Sequence, residues 1–159
     1  MSNNSASFTI RQLDIASATD LQILSGFCQE WAQSDRFWNT DEVVKSVRES
    51  GAILLGLADK SGLIRGIAMY LMAGDVADLL YLYVKLEDRR TGLGEVLLSQ
   101  SLEALVKRAV QSVVLEVRHT NESALRLYAK VGFARLTIRP RYYRDGDDAV
   151  IMEWKAKGE

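Results

Sequence analysis

The run Ala77-Asp-Leu-Leu-Tyr-Leu-Tyr-Val84, then Arg89-Arg90-Thr91-Gly92-Leu93-Gly94 and a helical pattern reaching Val110, decides the fold class. An apolar run of this kind belongs to a strand inside a sheet. From Gly92 onward Leu93, Val96, Leu97, Leu105, Val106 and Ala109 share one side of a helix of about five turns. Two glycines two apart let a turn bring several backbone N–H groups to an anion. The helix N-terminus adds unpaired donors and partial positive charge, and Arg89 and Arg90 can add charge-assisted bonds to phosphate oxygens. The segment reads as a pyrophosphate cradle or as an ordinary strand-to-helix turn. It is not a P-loop, since no Gly-Lys-Ser/Thr follows. It also lacks the third glycine and the later acidic residue of a dinucleotide fold.

Outward from that segment, strands and helices alternate. Residues 8–14 alternate apolar and polar as a half-buried strand does. Leu21, Leu24, Phe27, Cys28 and Trp31 recur at helical spacing over 17–33. A short aromatic loop, 34–40, carries Phe37 and Trp38, and Thr40 is the expected cap of a helix over 41–50 that stops at Gly51. Strands over 52–58 and 63–72 flank a turn at Asp59-Lys60-Ser61-Gly62. A strand over 112–118, a helix over 122–131 capped by Asn121 and ended by Gly132, and strands over 133–139 and 147–154 complete the pattern. One α/β domain with a mixed sheet follows, spanning 1–159 with an ordered core of about 8–154.

Composition narrows the chemistry. The chain has 159 residues, 48% apolar and 26% charged, a globular rather than a disordered balance. One cysteine allows neither an internal disulfide nor a thiolate metal cage, and one histidine excludes a multi-histidine metal site. Twenty basic against 21 acidic residues is not the footprint of a nucleic-acid binder. The polar start has no signal-peptide character, and no window reaches the roughly 18 apolar residues of a membrane span. A soluble cytoplasmic protein is expected, with Cys28 a buried, reduced core thiol rather than a nucleophile. Proton work then falls to carboxylates, tyrosines or lysines.

The second informative stretch runs from Leu115 to Phe133. Glu116 lies in an otherwise apolar strand, where a carboxylate is costly unless paired or functional. Burial would raise its pKa and suit it to act as a base; the alternative is a solvated carboxylate or one tied to Arg118. Tyr128 stands seven residues after Asn121, so both face one way off a helix. Its hydroxyl is an acid or simply packing. His119 is a rival base or a loop histidine.

The Arg89-x-x-Gly92-x-Gly94 turn and the Asn121…Leu127-Tyr128…Gly132-Phe133 run resemble the Gcn5-related N-acetyltransferases (GNAT) over about residues 8–154. Leu115-Glu116-Val117-Arg118, Arg141-Tyr142-Tyr143 and Asp148–Met152 resemble, within that family, the RimI-type ribosomal-protein N-terminal alanine acetyltransferases. The chain departs from that type at Phe37-Trp38-Asn39, at Lys85-Leu86 and at Arg144, all on the substrate side. The resemblance implies about seven mostly antiparallel strands, four helices and a V-shaped split between strands 4 and 5 helped by a bulge. It implies acetyl-coenzyme A as cosubstrate and no metal. The backbone of Leu82, Tyr83 and Val84 would hold the pantetheine arm, and Arg89, Arg90, Thr91, Gly92, Leu93, Gly94 and Glu95 the pyrophosphate. Asn121 would stand near the thioester, with Glu116 as base, Tyr128 as acid, and a backbone N–H near Tyr83 or Val84 for the oxyanion.

Trp38, Tyr142 and Tyr143 wall an acceptor slot or pack the core. Arg135, Arg139, Arg141 and Arg144 meet an acidic partner or a cofactor phosphate, or form a solvated face. The expected acceptor is a protein N-terminal α-amine. The alternatives are a small amine (polyamine, amino acid or aminoglycoside) and a non-catalytic coenzyme A-binding module. The expected partners are acetyl-coenzyme A and that acceptor, with no nucleic acid and no membrane, in a monomer or homodimer.

Overall fold

The computed structural model of the chain describes residues 7–32 and 39–158. In chain order the elements are β1 (Thr9–Gln12), α1 (Ala18–Trp31), α2 (Thr40–Ser50), β2 (Ile53–Ala58), β3 (Ile64–Ala73), β4 (Val76–Val84), a 3₁₀ turn (Leu86–Asp88), α3 (Leu93–Val106), β5 (Ser112–Arg118), α4 (Glu122–Val131), β6 (Ala134–Arg139) and β7 (Ala149–Lys155). The aromatic loop with Phe37 and Trp38 lies outside the described residues.

The strands form a seven-stranded sheet in the order β1-β2-β3-β4-β5-β7-β6. Every pairing is antiparallel except β4 with β5. Helices cover both faces because the apolar residues of the inner strands point both ways. Leu97, Leu98, Leu102 and Leu105 of α3 bury against Leu55, Ala68, Leu79, Val113 and Leu115. Leu24, Phe27 and Trp31 of α1, with Val43 of α2, bury against Leu54, Ile67, Met69 and Tyr83 on the other face. Each such side chain contributes about 1.5–3 kcal/mol by leaving water. α3 lies close to β3 at Gly66, where an added Cβ would stand 3.0 Å from both Leu97 Cδ2 and the Tyr83 carbonyl oxygen.

Most element ends lie within two residues of the sequence reading, and two helix ends are built differently from it. α3 ends at Val106, four residues before Val110, because Ala109 takes a left-handed φ of 67° and the Val110 N–H turns back to the Leu105 carbonyl. α2 is capped by Asn39 rather than Thr40: Asn39 Oδ1 accepts from the Glu42 N–H while Glu42 Oε2 accepts from the Asn39 N–H, each at 2.9 Å. That reciprocal capping box satisfies two end donors at once. Cys28 is buried as expected, and burial pushes its thiol pKa up.

Candidate active site

The parallel ladder between β4 and β5 holds only three pairs: Val76–Ser112, Ala77–Val113 and Asp78–Val114. Beyond Asp78 the strands have no mutual pairing, which makes the V. The divergence begins where Met69 pairs Tyr81 but Tyr70 pairs Leu79, leaving Leu80 as an extra residue in β4. A bulge re-aims the chain. Leu80 and Tyr81 therefore both face α1, and Leu82 and Val84 pass to the α3 side.

Backbone alternation settles which groups face the V. The Lys85 N–H bonds the Arg65 carbonyl, and Tyr83 pairs Ile67 two residues along the same ladder. Alternate residues of an antiparallel ladder bond opposite ways. Tyr83 thus directs its N–H and C=O to β3, and Leu82 and Val84 direct theirs into the V. Of the three residues expected to present backbone there, Leu82 and Val84 do so and Tyr83 does not. The Tyr83 ring is itself buried between Phe27 and Trp31, with ring centroids 6.1 and 5.6 Å away.

After β4 the chain is anchored from both sides. Glu30 of α1 accepts the Leu86 N–H at 2.6 Å. Arg65 of β3 reaches Glu87 at 3.2 Å and Asp88 at 3.4 Å. The turn then takes left-handed φ at Arg90 (62°) and Gly92 (84°), and Thr91 bonds back to the Asp88 carbonyl. No side chain caps α3, whose first intrahelical bond runs from the Val96 N–H to the Gly92 carbonyl. The first-turn N–H groups, including those of Leu93, Gly94 and Glu95, therefore lack intrahelical acceptors. Arg89 does not reach toward that turn: its guanidinium lies 4.8 Å from the Tyr83 ring centroid and its Nε donates to the Val84 carbonyl at 3.2 Å. Arg90 is exposed.

Where the V begins there is a cleft of about 390 Å³ lined by Asp78, Leu80, Val114, Glu116, Arg139 and Ile151. Glu116 does line it, but unshielded. Val113, Leu115 and Val117 alternate inward beneath α3. Glu116 consequently faces the other side, where α1 and α2 pack against β2, β3 and β4 rather than β5. Its carboxylate is exposed and pairs with Arg139 Nη1 at 2.9 Å, not with Arg118. Arg118 instead pairs with Asp145 at 2.7 Å and Asp147 at 3.7 Å and covers the Tyr143 ring at 4.1 Å. Tyr142 is 47% exposed, so it is not core, and it meets Tyr143 edge-on at 5.2 Å. His119 is an exposed turn residue.

Tyr128 is partly buried on α4 and packs against Phe133 at 5.8 Å. Beneath it Tyr70 is wholly buried, its hydroxyl 2.5 Å from Ser101 Oγ. Burial pushes the Tyr70 phenol pKa well up, the Ser101 bond offsets part of the rise, and the neighbouring Tyr128 adds to it. Asn121 caps α4, accepting from the Ala124 N–H at 3.2 Å.

A helix N-terminus beneath a split sheet is shared by several folds, so family membership rests on comparison. Residues 19–133 match the model of the acetyltransferase (GNAT) family. The chain belongs to that family. Among curated proteins it is similar to the [ribosomal protein bS18]-alanine N-acetyltransferase of Escherichia coli (strain K12), 38% identical over 96 residues, 58% of this chain and 65% of that one. The matched stretch is thus a little under two thirds of that relative's length. An N-alpha-acetyltransferase of Sulfurisphaera tokodaii is 42% identical over 65 residues, 40% of this chain and 39% of the relative. Among solved structures, the ribosomal-protein-S18-alanine N-acetyltransferase from Escherichia coli superposes with a TM-score of 0.78 at 30% identity, covering 96% of this chain and 97% of that one.

In this GNAT chain, sequence reasoning passed over Asp78, Glu30, Arg65 and the Tyr70–Ser101 pair. Asp78 carried the signal that singled out Glu116, a carboxylate inside an apolar strand. The other three act across long separations and leave no local pattern.

Proposed function

We propose that the chain is an acetyl-coenzyme A-dependent N-acetyltransferase acting on a protein N-terminal α-amine. The observation that carries this reading is the Glu116 carboxylate lining a cleft where two strands part, with an uncapped helix following the first of them on the other face of the sheet. The RimI-type relatives support the choice of acceptor.

The residues present fit the cosubstrate. Leu82 offers its backbone N–H and C=O, and Val84 its N–H, to an extended arm as a strand edge does to a peptide, while the Val84 carbonyl accepts from Arg89. The backbone from Arg90 to Glu95 offers N–H groups to a diphosphate. Gly92 supplies the left-handed turn, and at Gly94 an added Cβ would meet only Leu127 Cδ2, at 3.4 Å. Acetyl-coenzyme A supplies an acetyl thioester, activated for transfer from sulfur to nitrogen.

Glu116 takes the proton that the acceptor amine must lose, directly or through a water. The Val84 N–H donates to the carbonyl oxygen as its charge grows. Tyr128 gives its proton to the departing sulfur, and Asn121 caps the start of the helix that carries Tyr128. Tyr142 and Tyr143 flank the acceptor. Incubation with acetyl-coenzyme A and peptides of varied first residue tests the reading. Turnover is expected on free N-termini beginning with a small residue, with losses of about 10²-fold or more for Glu116→Gln and Tyr128→Phe. Faster turnover of small amines than of every peptide, or variants matching the wild type, would overturn it.

A further inference from the structure

Glu116 already has a cation. Arg139 Nη1 donates to its Oε1 at 2.9 Å, and the same guanidinium lies 5.6 Å from the Tyr142 ring centroid. Arg118, the next charged residue along β5 on that face, is neutralised by Asp145 and Asp147. Among the described residues Arg139 has one carboxylate partner, Glu116, so its charge balance depends wholly on that group.

The proposed chemistry disturbs this balance. An α-amine reaches the cleft largely as an ammonium at neutral pH. It must lie against Glu116, where it competes with the guanidinium for one carboxylate. The ammonium loses one proton to solvent before it can attack; when Glu116 takes the second as the bond to the acetyl carbon forms, it becomes neutral and Arg139 loses its counter-charge. An acceptor bringing its own carboxylate to Arg139 removes both penalties, because two ion pairs are exchanged rather than one broken.

Placement selects the position. The first residue of the acceptor carries the amine at Glu116, and the next Cα stands about 3.8 Å further along. Asp78 lies toward the closed end of the V, paired with Val114, whereas Arg139 approaches from β6 on the outer side beside Tyr142. We propose that Arg139 is a specificity-determining residue that selects acceptors bearing an acidic side chain immediately after the reacting residue. This rests on the reading of Glu116 as base in a peptide acetyltransferase.

The test uses three peptides identical but for the second residue: Ala-Asp, Ala-Ala and Ala-Lys. The wild type is expected to show kcat/KM falling in that order, about fivefold per step for a half-exposed ion pair. Arg139→Gln is expected to flatten the order, Arg139→Lys to keep it, and Arg139→Glu to reverse it in favour of Ala-Lys. Thermal melts matching the wild type exclude misfolding as the cause. Equal kcat/KM for the three peptides with the wild type, or an order that survives Arg139→Gln, overturns this inference. If Glu116→Gln is inactive in the same assay, the function reading stands without it. Failure of every peptide to react overturns both.

Discussion

Ser101 has one hydroxyl hydrogen and two neighbours that could receive it. Its Oγ bonds the Leu98 carbonyl at 2.9 Å and meets the Tyr70 hydroxyl at 2.5 Å. Helical geometry favours the carbonyl as the Ser101 acceptor, so Tyr70 donates and Ser101 receives. The two obvious substitutions are then unequal. Ser101→Ala strands the wholly buried Tyr70 donor and is expected to cost about 1–3 kcal/mol in urea unfolding. Tyr70→Phe leaves Ser101 still bonded to Leu98 and is expected to cost less. The double variant should cost less than the sum, as groups in direct contact do. At the same scale, Gly92 and Gly94 separate shape from binding. Gly92 sits at φ 84°, so Gly92→Ala is expected to cost about 1–2 kcal/mol of stability. Gly94 has no such φ and lies in α3, so Gly94→Ala is expected to leave stability unchanged or raise it by about 0.5–1 kcal/mol. If the turn cradles a diphosphate, the same methyl stands among the donors, and calorimetry should show weaker coenzyme A binding for Gly94→Ala.

The turn between β2 and β3 shows an element held by one carboxylate. Asp59 accepts from the Ser61 hydroxyl and N–H, from the Leu63 N–H and from Arg65 Nε. These bonds, the Ser61 hydroxyl foremost, hold its pKa down at about 2 against an ordinary 3.8. A depressed carboxylate stabilises above its unfolded pKa, and that contribution is lost as pH falls through the folded value. The melting-temperature gap between wild type and Asp59→Asn should therefore be full at about pH 6, shrink between about pH 4 and 2, and vanish below. This hairpin was legible beforehand, because Asp59-Lys-Ser-Gly62 between two apolar runs has one reading. So were the helices by their apolar spacing, and α4 at both ends, where Asn121 and Gly132 stand as expected; the cap of α2 and the stop of α3 were not. Glu116 was legible as a misfit in its strand, but not its exposure. Exposure depends on which strands α1 and α2 cover, and nothing in β5 encodes that. Arg139 sits in β6, Ala-Arg-Leu-Thr-Ile-Arg, whose six residues are all exposed. An edge strand without a helix over it has no inside face for alternation to reveal. The bulge at Leu80 is a property of register between strands, so only the family resemblance implied it.

At the scale of the whole molecule, the sheet is held across its middle by the three pairs between β4 and β5 and by helices packed over it. Asp20 makes a comparable tie at its far edge: its buried carboxylate bonds both terminal nitrogens of Arg11 at 2.9 Å and the Asp14 N–H at 2.8 Å, joining β1 to α1. The Arg11 contact, ahead of the opposing cost of burial, keeps the Asp20 pKa below the ordinary carboxylate range. The split has a further consequence, for behaviour without ligand. β4 is an interior strand with an edge strand's open ladder, and open ladders invite pairing with other chains. The ligand-free protein carries an open ladder at its centre as well as at the exposed edge strand β6, and a bound extended arm would work as the missing strand. A ligand present at 100 times its Kd adds about 2.7 kcal/mol of stability through mass action alone. Amide hydrogen exchange should record this with a two-residue alternation. Leu82 and Val84 are expected to exchange quickly alone and slowly with coenzyme A, while Tyr83, bonded to β3, stays slow in both.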